Sequence, residues 1–294
     1  MCRIVREALL CKRRFATTLG LAVLFVSQAV NTRAQERVGT PPLGTDNNAG
    51  AQAPEDAPIP PTGGSTRGAA PREATWQKLP GNFLRDQKDL WLFPVKLAEG
   101  HHWLPTAIVV GGTAALIATD PQTMPYFRQT NDFHGFNRVF TSTVSGGIIA
   151  VVPATFYVAS LIRKNSYDQG TALLAGEAVV DDTVLMVVMK SITQRLRPTD
   201  VAPTGNYSDT FFQSSRSPFG KGTSFPSGHA LMSFSVATVF ARRYRQHRWV
   251  PYVAYGLASV ISFSRVTTGA HFPSDVFIGA ALGFAIARYD VVRQ

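Results

Sequence analysis

The chain has 294 residues, of which 45% are hydrophobic and 16% charged, with a formal net charge of +10. That length holds one large domain with extensions, and so low a charge content is unusual for a water-soluble protein. The Lys and Arg residues form no stripe interleaved with aromatics, which argues against a nucleic-acid partner. A basic surface suits an anionic membrane or an anionic substrate instead. Both cysteines, Cys2 and Cys11, lie near the N-terminus, so no disulfide framework, zinc site or cysteine nucleophile is available downstream.

Residues 1–34 hold six cations against the single acid Glu7, half of the net charge. A basic stretch over 3–14, an apolar stretch over 15–30 and Thr32-Arg33-Ala34 read as a signal peptide or, if uncleaved, an anchor. Residues 35–77 are rich in Pro and Gly and poor in large apolar side chains. Such a stretch buries too little surface to order itself and is expected to be a disordered linker. Over 78–100, Phe83, Leu84, Leu90, Trp91 and Phe93 alternate with Arg85, Asp86, Lys88 and Asp89. This pattern predicts an amphipathic interfacial segment, or else a short cap packed on the domain that follows.

Residues 101–294 are expected to form one all-α domain, a six-helix bundle. Its apolar blocks fall at about 103–119, 141–162, 170–189, 229–243, 248–264 and 272–288. They approach the ~20 residues needed to cross a bilayer as helix, and Trp103, Trp249, Arg163-Lys164 and Arg242-Arg243 stand at their ends as interface anchors. Membrane-spanning helices are therefore expected, although a soluble helical core also gives runs of this length. Glu177, Asp181 and Asp182 lie inside the third block. Carboxylates there should face the bundle interior, where they pack against polar partners or support a functional site.

Three short strings carry chemistry. In the first, Lys190 and Arg197 lie about two helical turns apart on one face, and Pro198 discourages continuation of the helix; together they form half of a phosphate clamp. The second, Pro226-Ser227-Gly228-His229, precedes the fourth block. Ser227 is a good N-cap, Gly228 leaves room for a ligand to approach the backbone, and the free N–H groups of a helix start favour an anion beside His229. In the third, Arg265 adds a cation, and His271 and Asp275 are four residues apart, so their side chains meet on one helical face. Asp275 is expected to accept a hydrogen bond from one ring nitrogen of His271 and leave the other free to attack. Pro273 suits the first turn of that helix.

In this order and at these separations, the three strings resemble the signature of the type 2 phosphatidic acid phosphatase superfamily. That superfamily includes membrane lipid phosphatases, class A acid phosphatases and vanadium haloperoxidases. The signature spans 190–275, and the helix pattern extends the likeness to about 100–290. The resemblance implies that His271 is a nucleophile forming a phosphohistidine, that Asp275 raises its nucleophilicity, and that His229 is the general acid. It implies that Lys190, Arg197, Ser227, Gly228 and Arg265 hold the phosphoryl oxygens, with no metal and no cofactor. The expected substrate is a phospholipid, polyprenyl or lipid A phosphate; the competing readings are a soluble exported acid phosphatase and a vanadate-dependent haloperoxidase.

Sidedness receives two conflicting signals. Arg242, Arg243, Arg245 and Arg248 mark one loop as cytoplasmic, which puts the three strings at the periplasmic face of a multi-pass inner-membrane protein. A working export signal, followed by six crossings, puts them in the cytoplasm. The charge pattern is preferred here.

Overall fold

The computed structural model describes residue 72 and residues 74–214 and 223–292. The expected signal segment and nearly all of the expected linker lie outside the described residues. Among those described there are nine α-helices and no strand: α1 (Leu79–Trp91), α2 (Phe93–Ala98), α3 (Trp103–Gln129), α4 (His134–Val139), α5 (Ser142–Ile162), α6 (Ser166–Thr193), α7 (Gly228–Arg243), α8 (Trp249–Thr267) and α9 (Pro273–Ala285). The last runs on into a π-helical turn over Ile286–Val291. The six long helices α3 and α5–α9 correspond to the six apolar blocks.

Short polar side chains set several of the helix starts. Thr141 Oγ1 accepts from Val144 N at the head of α5, and Asn165 Oδ1 accepts from Tyr167 N and Asp168 N at the head of α6. Ser227 caps α7 as expected, its hydroxyl accepting from Ala230 N at 3.5 Å. Each cap satisfies N–H groups that the helix itself leaves without partners.

α7 is the central helix and packs on α5, α6, α8 and α9. Its tightest neighbour is α9, through Gly279 and Gly283. A Cβ at Gly279 would stand 2.6 Å from Ser227 O, and one at Gly283 would collide with Leu231 O. Ser235 Oγ adds a bond to Gly283 O at 2.8 Å. Small residues four apart let two helix backbones approach in this way. The main core gathers Ile148, Leu174, Leu185, Val236, Val239 and Ile261 around this crossing.

The first block runs ten residues further than the sequence pattern indicates, to Gln129, with Pro121 and Pro125 inside the helix. A proline removes one helical hydrogen bond. Packing offsets that loss: Met124 enters a small core with Tyr207 and Phe272, and Asp120 joins the ion network described below.

Two of the long helices, α3 and α5, are long and apolar enough to cross a bilayer. Apolar side chains line their outer faces and that of α8: Ile108, Val158, Ile162 and Tyr252 are all more than half exposed. α1 is inverted relative to a water-soluble surface helix, since it buries Asn82 and Asp86 and exposes Leu84 and Trp91. Its polar face meets α6. Arg72 pairs with Asp86 at 2.8 Å and with Glu177 at 2.6 Å, and Gln87 donates to Asp181 at 2.9 Å. The α6 carboxylates Glu177 and Asp181 are thus engaged with internal polar partners, well along the helix from Lys190.

Candidate active site

The three strings meet at one end of the bundle. Lys190 lies in the last turn of α6, His229 in the first turn of α7, Arg265 in the last turn of α8, and His271 and Asp275 at the start of α9. The arginine-rich turn between α7 and α8 lies at the opposite end. There it meets the start of α6, where Tyr167 Oη donates to Arg243 O and Arg243 Nε donates to Thr171 Oγ1 at 3.0 Å.

His271 is buried, with its Nδ1 2.8 Å from Ser224 O. A carbonyl only accepts, so Nδ1 carries the ring proton and the Nε2 lone pair is left open. Burial pulls the His271 imidazole well below its usual value, to about 3. Asp275 opposes that shift, while the charges of Lys190 and Arg197 reinforce it. The ring is therefore neutral at pH 7 and able to act as a nucleophile.

The expected direct bond between Asp275 and His271 does not form. Asp275 Oδ2 stands 3.7 Å from His271 Nδ1, too far for a hydrogen bond. Ser224 occupies the space between them: its hydroxyl donates to Asp275 Oδ2 at 2.5 Å and lies 3.4 Å from Nδ1. The same oxygen of Asp275 accepts from Phe272 N at 2.8 Å, which caps α9. Asp275 cannot reach the ring because this capping bond turns its carboxylate back toward the helix start.

His229 is partly exposed and its Nε2 lies 3.2 Å from Ser142 O, so Nε2 is the protonated nitrogen. Arg265, fully buried, engages the same stretch of α5. It donates to Ser142 Oγ at 2.8 Å, to Ser145 Oγ at 3.1 Å and to Phe140 O. The charges of Arg265, Arg197 and Lys190 all reach the His229 ring. Lys190 is buried, and its Nζ donates to Thr223 O beside Ser224. Arg197 opens the 3-10 turn Pro198–Asp200, its backbone N–H donating to Asp200 Oδ2 at 3.0 Å.

Ser227 is fully buried, and its N–H donates to Asp275 O at 3.0 Å, which ties the start of α7 to the start of α9. Gly228 also has a packing purpose. A Cβ there would collide with Met186 Sδ, so the missing side chain lets α6 approach α7. The structure thus brings every predicted site residue to one end of the bundle, around two histidines of which one is buried and one partly exposed.

Residues 170–292 match the family model described as the PAP2 superfamily. This stretch is a PAP2 superfamily domain. The family resemblance carried by the three strings is thereby borne out. The chain shares 30% identity over 132 residues with a lipid A 1-phosphatase of Porphyromonas gingivalis, a match covering 45% of this chain and 27% of that protein. It shares 35% identity over 66 residues with the bacitracin transport permease protein BcrC of Bacillus licheniformis, covering 22% and 31%. The chain thus spans under a third of the curated relatives it matches. Among solved structures, Aquifex aeolicus LpxE aligns with a TM-score of 0.42 at 22% identity, over 59% of this chain and 91% of that one. A PAP2-type phosphatidylglycerolphosphate phosphatase from Bacillus subtilis aligns at 0.37 and 22% identity, over 69% and 92%.

Sequence reasoning missed a buried ion network behind the PAP2 site. Arg195, between the two cations of the first string, donates to Asp275 Oδ1 and to Asp120 Oδ2, each at 2.7 Å, and to Ser274 Oγ at 2.7 Å. Its guanidinium is sandwiched between the rings of Phe272 and Phe211, 3.9 and 4.4 Å from their centroids. Removing one partner of a buried pair costs about 3–5 kcal/mol, because the other charge is left stranded. The available signal was Asp120 itself, the one acid in α3, standing directly after the apolar block 103–119.

Proposed function

We propose that this protein is a membrane phosphatase that hydrolyses a lipid phosphate or pyrophosphate through a phosphohistidine intermediate, without a metal ion. The observation that carries the reading is the buried, neutral His271, with its proton on Nδ1 and its Nε2 open, near the charges of Lys190 and Arg197. Nε2 attacks phosphorus and the ester P–O bond breaks. His229, protonated on Nδ1 as well once the phosphate dianion is bound, gives that Nδ1 proton to the departing alkoxide and keeps its Nε2 proton on Ser142 O. Water, deprotonated by His229, then attacks the phosphohistidine; the N–P bond breaks and inorganic phosphate leaves. Lys190, Arg197, Arg265, Ser227 and the N–H of Gly228 stabilise charge on the phosphoryl oxygens, the task a divalent ion performs in other phosphatases.

Asp275 acts on His271 through Ser224, whose carbonyl holds the Nδ1 proton and whose hydroxyl is fixed by the carboxylate. Arg195 is a positioning residue for Asp275. The likeness to a lipid A 1-phosphatase favours a lipid phosphate monoester, and the exposed apolar faces of α3, α5 and α8 favour a lipid over a soluble ester. The proposed setting is the inner membrane, crossed several times, with the site on the periplasmic face.

The test separates the two histidines. In excess chelator, the purified protein should release phosphate and form an acid-labile phosphoenzyme. His271→Ala should abolish both the label and turnover. His229→Ala should slow phosphoenzyme formation from an alkyl ester about 10²–10⁴-fold and from a nitrophenyl ester far less, because nitrophenolate leaves without a proton; breakdown of the phosphoenzyme should slow equally for both. Equal losses in phosphoenzyme formation from the two esters, or activity restored only by magnesium, would sink the mechanism.

A further inference from the structure

α5 and α8 both pack on α7 and leave a furrow between them, an almost wholly apolar cavity of about 200 Å³. Its upper end lies one helical turn below the candidate site on all three helices. On α7, Ser233 follows His229 by four residues; on α5, Ile149 follows Ser145 by four; on α8, Ile261 precedes Arg265 by four. Hydrogen bonds hold those upper residues together. Arg265 donates to Ser145 and Ser142, and His229 Nε2 donates to Ser142 O. Helical periodicity carries the same three faces downward, until the furrow ends at Tyr244 and Trp249 near the arginine-rich turn. From Ser233 to Tyr244 the helix rises about 16 Å, roughly the reach of a dozen methylenes.

We propose that this furrow receives one acyl chain of the substrate, in line with a phosphate head held among His229, His271 and Arg265. The proposal rests on the phosphatase reading and names the part of the substrate that the site selects. Cations close one end of an apolar trough, so the fitting occupant is an anionic amphiphile whose charge sits at its tip. A neutral bilayer lipid gains nothing from the charged end. For an ester arriving from water, burying each methylene improves binding by up to about fourfold; for one already in the bilayer the tail is in hydrocarbon, and selection comes from the fit of the chain and from the charged end.

The test uses the full chain in nanodiscs, with Trp76, Trp91 and Trp103 changed to Phe so that Trp249 is the only indole. Dodecyl phosphate brominated at its terminal carbons should quench Trp249 saturably, and equally brominated dodecanol at least tenfold more weakly. Ala258→Phe, which fills the furrow, should weaken the quenching tenfold or more and should lower the kcat/KM ratio of dodecyl to nitrophenyl phosphate by a similar factor. If Ala258→Phe does not fold, Ser233→Phe at the upper end makes the same comparison. Equal quenching by phosphate and alcohol, or an unchanged ratio in a folded variant, overturns the proposal. Saturable, phosphate-dependent quenching without phosphate release from any ester would uphold the furrow and sink the phosphatase reading, because the fluorescence signal requires no turnover.

Discussion

Arg195 holds Asp120 and Asp275 at once, and a lysine cannot do the same, because a single ammonium point replaces a planar fork. Arg195→Lys is therefore expected to let Asp275 and Ser224 drift and to lower kcat about a hundredfold, with KM nearly unchanged because no phosphate contact is lost. A variant with full kcat would show that Asp275 needs no such support. His271 leads to a second expectation, in stability. Its folded value near 3 lies below the ordinary 6.5, so at high pH both states are neutral and nothing is lost. As pH falls from about 6.5 toward 3, the unfolded chain takes up a proton that the folded chain refuses, and stability drops across that window. Unfolding midpoints in detergent from pH 7 to 4 should fall less steeply in His271→Gln than in the parent. Parallel slopes would mean that the imidazole protonates in place.

The elements are joined to the site by glycines. Gly279 and Gly283 set the α7–α9 distance, and that distance allows Ser227 N–H to reach Asp275 O. Gly283→Ala places a methyl group against Leu231 O, with no flexible side chain to yield. It should cost about 1–3 kcal/mol as overpacking, seen as a lower thermal midpoint. Gly111 on α3 is the control. A Cβ there meets nothing within 4 Å, so Gly111→Ala should stabilise by up to about 1 kcal/mol through helix propensity. Two shifts of the same sign would show that propensity, not the crossing, controls these positions.

For the molecule as a whole, the arginine-rich turn and the candidate site lie at opposite ends of the bundle. The described chain also enters at the arginine-rich end, where His102 packs on Tyr289. Positive charge in short loops marks the cytoplasmic side, so the site should face the periplasm. Single cysteines at the exposed positions Ser208 and Gln246, in a background lacking Cys2 and Cys11, would be challenged on intact cells with an impermeant thiol reagent. Labelling at 208 alone is expected. Labelling at 246 alone would mean that the leader sets the orientation and that substrate is met on the cytoplasmic leaflet.

The six long helices were legible from sequence because each rests on local rules, and the eight candidate site residues were legible from local rules together with the family resemblance. Apolar blocks bounded by caps and cations define the helices, while Ser227, Pro273 and the spacing of His271 and Asp275 mark helix starts. What the sequence determined by itself was therefore the bundle and the set of candidate residues at its end. Tertiary structure alone decided how that chemistry is held. Asp120 and Arg195 are 75 residues apart, and nothing local pairs them. The Asp275 carboxylate was free, on spacing alone, to bond His271; its capping bond to Phe272 N and the arrival of Ser224 from a distant loop put a serine between them. The extension of α3 through two prolines has the same origin. A buried ion pair and a core methionine, both contacts distant in sequence, outweigh the local penalty that ended the pattern at 119.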